Sequence, residues 1–97
     1  MARALVVATL RFKDRQRYDR YAAAFPAVFA SSGGEMIAAD DRPELLGGDG
    51  SGVDKIVIMR FDSEEAARAF LSSPEYVCIA ADRDAGADLT SWIVKAF

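Results

Sequence analysis

Two segments of this chain are apolar on both of their faces, and that restricts the folds open to it. Residues 3–12, RALVVATLRF, are rich in Val, Leu and Phe and read as a strand. One face carries Ala4, Val6, Ala8, Leu10 and Phe12; the other carries Leu5, Val7 and Thr9, with Arg3 and Arg11 at its ends. Residues 55–61, KIVIMRF, repeat the pattern: Val57 and Met59 face one way, Ile56 and Ile58 the other. A strand wet on one side alternates apolar with polar residues. These two do not, so their sheet needs a cover on each side.

The rest of the chain supplies one of those covers. In residues 14–31, Tyr18, Tyr21, Ala22, Phe25 and Phe29 recur at helical spacing, with Asp14 placed to cap the start. Pro26 has no N–H to give to Ala22, which predicts a kink or a restart. Ser31 to Gly34 end the segment. EMIAAD (35–40) reads as a second strand, and 42–54 as a turn-rich stretch in which Glu44 to Leu46 could pair briefly as an edge. Asp62, with Glu65 three residues on, has the spacing of a capping box for the next helix. In SSPEY, Ser73 suits an N-cap and Pro74 an N1 position, because the missing N–H costs little there. A new helix over 74–82 follows, with Tyr76 at N3 and Val77, Ala80 and Ala81 turned inward; LTSWIVKAF (89–97) is the last strand.

The order is β-α-β-β-α-β, the ferredoxin-like split pattern, an α+β fold with an antiparallel sheet. Both helices lie on one side, so the other apolar face is left for a second copy of the chain. The expectation is a homodimer packed sheet to sheet and closed into a dimeric α+β barrel, with Trp92 or Ile93 pointing into its core. Residues 1–97 read as one domain.

Composition removes several chemistries. The chain has no histidine, which excludes Ser-His-Asp and Cys-His catalysis and any histidine-ligated metal or haem. Its one cysteine, Cys78, allows no internal disulfide and reads as a buried, inert thiol. A net charge of −3 argues against a nucleic-acid partner. No stretch approaches the roughly 18 apolar residues of a membrane span, and the N-terminus does not resemble a signal peptide; a cytoplasmic protein is expected. The glycine-rich run 47–52 lacks the phosphate-loop pattern and reads as a surface loop.

The remaining polar candidates are tyrosines and arginines. Tyr18 and Tyr21 share a helix face, and Tyr76 lies at the start of the helix after SSPEY. Each fits either amphipathic packing or a hydroxyl at the mouth of a helix–sheet cleft. Arg83, between Asp82 and Asp84, fits either a solvated ion pair or a fork reaching an anionic ligand. Arg60 interrupts an apolar strand and needs a carboxylate or a ligand for its charge. These five, Tyr18, Tyr21, Arg60, Tyr76 and Arg83, are the candidate ligand-binding residues; no metal site and no cofactor are expected.

Several of these features together resemble a known family. The helix YDRYAAAFP, the Gly33-Gly34 turn, Leu46-Gly47 before a variable loop, the strand IVIMRF, the segment AARAFLSSPEY and the downstream Arg83 look like the small bacterial family called domain of unknown function 1330. The resemblance implies membership of the dimeric α+β-barrel superfamily. The family usually has an acidic residue where this chain has Leu46, and an aromatic one in the loop that here reads DGSG. Wider relatives include cofactor-independent monooxygenases of aromatic polyketides, isomerases and haem binders. The implied function is a homodimeric small-molecule-binding module for an anionic or aromatic ligand. The alternatives are a cofactor-independent oxygenase or isomerase acting on an aromatic or carboxylated metabolite, and a structural or regulatory dimer.

Overall fold

The computed structural model describes residues 3–97. Strand β1 (Ala4–Phe12) leads to helix α1 (Arg15–Ala30), then strands β2 (Glu35–Asp40) and β3 (Lys55–Phe61), helices α2 (Glu64–Leu71) and α3 (Pro74–Gly86), and strand β4 (Ala87–Lys95). The sheet is antiparallel in the order β2-β3-β1-β4. This is the ferredoxin-like α+β arrangement, with the second crossover divided into two helices.

The sheet is not closed into a barrel, which corrects the α+β-barrel expectation. It is one open layer with β2 and β4 as its edges. Closure needs edge strands that pair onward. Every residue of β2 is exposed, as suits a free edge. The brief edge pairing expected around Glu44 to Leu46 does not form: 41–54 carries no strand.

Register divides the side chains cleanly. Val6 pairs with Met59 and Ile93, and Ala8 with Val57 and Ser91, so these residues share the helix-covered face. Leu5, Val7 and Thr9 pair with Arg60, Ile58 and Ile56 on the opposite face, beside Val94, Trp92 and Thr90. Val6, Leu10, Met59, Phe61, Phe70 and Tyr76 form the buried core with Tyr18 and Tyr21.

Local capping shapes the helices. Asp14 accepts the Arg17 N–H at 3.4 Å, and Ser73 accepts the Tyr76 N–H at 3.4 Å, as the sequence predicts. At α2 the cap is Ser63, not Asp62: its hydroxyl accepts the Ala66 N–H at 3.0 Å, which places Glu64 and Glu65 in the first turn. Helix α1 passes through Pro26 without the predicted restart. Helix α3 runs on to Gly86, and its phase differs from the expectation. Tyr76, Ile79 and Ala80 face the core, while Val77 is 56 % exposed and Ala81 and Cys78 are also exposed. Trp92 lies on the open face at 51 % exposure, and Ile93 packs on the core side.

Gly86 joins the two long helices. Its carbonyl accepts the N–H groups of Lys13 and Asp14 at 2.8 and 3.0 Å. A Cβ added there would lie 2.4 Å from the Tyr18 backbone nitrogen, so only glycine allows α3 to end against the start of α1.

Candidate functional site

A cavity of about 150 Å³ lies between the helices and the covered face of the sheet. Val6, Ala8 and Leu10 of β1 and Val57 and Met59 of β3 form its floor; Tyr18, Tyr21 and Phe25 of α1 and Tyr76 and Arg83 of α3 line it from above. The strands present small and branched apolar residues there because their alternate positions face the helices. The tyrosines reach it from two helices whose packing Gly86 sets.

Four of the five sequence candidates meet in this cavity. Tyr21 and Tyr76 are 55 residues apart in the chain, and their hydroxyl oxygens are 2.9 Å apart. Arg83, seven residues or about two helical turns further along α3, donates an Nη1 hydrogen to the Tyr76 oxygen at 2.7 Å. Tyr18 packs on Tyr21 with ring centres 5.5 Å apart. Arg60 does not join them. It lies on the opposite face of the sheet and is ion-paired to Glu35 of β2, so its charge is answered within the sheet.

Hydrogen-bond bookkeeping shows what this group can do. A guanidinium only donates, so the Tyr76 oxygen accepts from Arg83. The two phenols then have two hydroxyl hydrogens and one bond between them. Either phenol can donate in the bond between them, so one hydroxyl hydrogen of the pair stays free to meet a ligand oxygen. Among the described residues no further acceptor serves the pair.

Electrostatics fixes the protonation states. Burial, reinforced by Tyr76, pushes the Tyr21 phenol well above its ordinary value, so it is a neutral donor and not a base. Burial of Arg83 acts to lower its pKa, but Tyr76 and Asp84 outweigh that and keep the guanidinium charged. Of the five N–H groups of a guanidinium, Nε and one on Nη2 go to Asp84 and one on Nη1 goes to Tyr76. One hydrogen each on Nη1 and Nη2 remains for further acceptors. The Arg83 side chain is only 16 % exposed, so a contact made there is not diluted by solvent.

The lining contains one cation that sequence reasoning missed, Lys55, with its Nζ 5.0 Å from the centre of the Tyr18 ring. The signal was its place: it shares the strand face of Val57 and Met59, where a charged residue is out of pattern. No carboxylate lines the cavity among the described residues. Glu44 and Leu46 stand on the exposed loop and take no part, so the chain's departure from the expected pattern at Leu46 leaves this cavity untouched. Among the described residues no His, Cys, Asp and Glu cluster is placed to hold a metal, and no helix is long and apolar enough to cross a membrane.

Solved structures with the same fold extend to the whole chain. A protein of unknown function from Rhodopseudomonas palustris superposes with a TM-score of 0.82 at 18% identity, over 99% of this chain and 83% of that one. SnoaB, a cofactor-independent oxygenase from Streptomyces nogalater, gives 0.71 at 16% identity over 100% and 95%. A dimeric ferredoxin-like protein of unknown function from Thermobifida fusca gives 0.69 at 17% identity over 98% and 92%. At such identities the likeness establishes the ferredoxin-like fold. No curated protein matches the chain. The tyrosine helix, the glycine turn, the SSPEY junction and Arg83 all fall within residues 3–97, which match the family described as Domain of unknown function (DUF1330), and the chain belongs to that family.

Proposed function

We propose that the protein is a homodimeric small-molecule-binding module whose helix–sheet cavity holds a compact anionic ligand with an apolar body. The observation that carries this reading is the hydrogen-bonded chain of Arg83, Tyr76 and Tyr21, in a cavity lined by no carboxylate among the described residues. The unused guanidinium hydrogens take the acid, the free phenol hydrogen takes a second oxygen, and the apolar floor takes the body. The dimer follows from the open sheet face, where Leu5, Val7, Ile56, Ile58, Trp92 and Val94 have no cover from the chain. A protein of the same fold is described as dimeric, which supports that assembly.

Titration calorimetry with benzoate tests the cavity. Arg83→Gln should weaken binding by about tenfold or more, the worth of a charge-assisted pair. Tyr21→Phe should cost less, about fivefold, as for one neutral hydrogen bond. Benzoate affinity unchanged in both variants would remove the proposed site.

Catalysis is the second reading, favoured by one observation. A neutral, buried Tyr21 is the kind of donor that stabilises charge developing on a carbonyl oxygen. The described oxygenase of this fold supports the same direction by analogy alone.

A further inference from the structure

Lys55 is the cavity group that the Arg83 relay does not use. It opens β3 opposite Leu10, on the helix-covered face of the sheet. The residue is half-buried, so its ammonium reaches the cavity and remains able to meet a ligand. Among the described residues Lys55 makes no ion pair. Asp41 is near enough to feel its charge, but that carboxylate is held by Arg15 at 3.2 Å. The face of the Tyr18 ring answers the ammonium only in part.

Two cations therefore flank the three tyrosines. Lys55 stands against Tyr18, Arg83 against Tyr76, and Tyr21 lies between with ring centres 5.5 and 6.1 Å from its neighbours. Like charges around a cavity with no acidic lining among the described residues are relieved by an anion placed between them. Size limits that anion. A cavity of about 150 Å³ is matched by about one benzene-sized ring.

Building on the binding reading above, we infer that Lys55 is a second anion anchor and that the ligand class is a compact diacid. Its body is a single ring or a short branched chain, with one acid group on Arg83 and the other on Lys55. The tyrosine hydroxyls serve the oxygens between.

Phthalate, isophthalate and terephthalate form a ruler for the spacing of the two cations, with benzoate as the one-acid control. Calorimetric titration of the wild-type protein should show one isomer binding about tenfold more tightly than benzoate, as a second charge-assisted contact provides. Lys55→Met should cost that isomer about tenfold and benzoate much less, so that the gain over benzoate disappears, while Lys55→Arg retains most of it. Lys55→Gln repeats the neutral test should the Met variant fail to fold. If no isomer exceeds benzoate, or the gain survives loss of the Lys55 charge, the second anchor is wrong while an Arg83-dependent benzoate site still stands. If neither benzoate nor any diacid binds, both readings fall.

Discussion

On the covered face of the sheet, Val6, Met59 and Phe61 are buried beneath three helices; on the open face, Leu5, Ile58 and Trp92 get no cover from the chain. The two faces are built by the same strands from the same kinds of side chain. The covered face carries Lys55 and Ser91 where the cavity uses them, and Lys95 at its end. The open face has its charges at the margins, with Arg60 paired to Glu35 at one end. One face is thus specialised by what stands over it, and the other stays a plain apolar surface suited to a copy of itself.

The strongest way to break this comparison is a matched truncation. Phe61→Ala on the covered face, where the ring is 1 % exposed, should cost about 3–5 kcal/mol in urea unfolding. Trp92→Ala on the open face should leave the unfolding of the single chain within about 0.5 kcal/mol and instead shift sedimentation equilibrium from dimer to monomer. A wild-type protein that sediments as a monomer at micromolar concentration would show that the open face has no such role.

A smaller effect tests how the covered face is assembled. Gly86→Ala drives a methyl group into the Tyr18 backbone and should cost about 1–3 kcal/mol. Because it pushes α3 from α1, it should also weaken benzoate binding. A variant of normal stability and normal affinity would mean that the helix junction does not set the tyrosine pair.

The smallest effect is one of pH. Tyr21 keeps its proton in the native state above the point, about pH 10, at which an unfolded tyrosine loses it. The native state then binds more protons than the unfolded one, so stability falls as pH rises past that point. Below it, Tyr21 contributes no slope. Tyr21→Phe should therefore show a shallower loss of stability between pH 10 and 11 in urea titrations. Equal slopes would place the phenol in contact with water.

The fold was legible wherever the signal was local. Alternation in RALVVATLRF and KIVIMRF identified both strands and both faces, and Ser73 before Pro74 identified the start of α3. The closed barrel was not legible, because closure depends on what the edge strands β2 and β4 meet, and no local pattern encodes that. In α3, reading Val77 inward put the helix out of phase by one residue; the amphipathic Tyr76 took the inner position because a phenol with two hydrogen-bond partners can be buried. That partnership joins residues from opposite halves of the chain, so sequence could nominate Tyr21, Tyr76 and Arg83 separately but not connect them. Lys55 was passed over because it sits at the first position of its strand, where a charge ordinarily reaches solvent.

The loop 41–54 is held at its base on both sides. Asp54 accepts the Phe12 N–H at 2.9 Å and gives its own N–H to the Leu10 carbonyl at 2.8 Å, while Asp41 is tied to Arg15 at 3.2 Å. What lies between these anchors can therefore change length without passing a displacement into the sheet. In evolutionary terms this is where the chain can lengthen and shorten freely, and in the laboratory it is the natural splice point for a fluorophore tag or a grafted peptide.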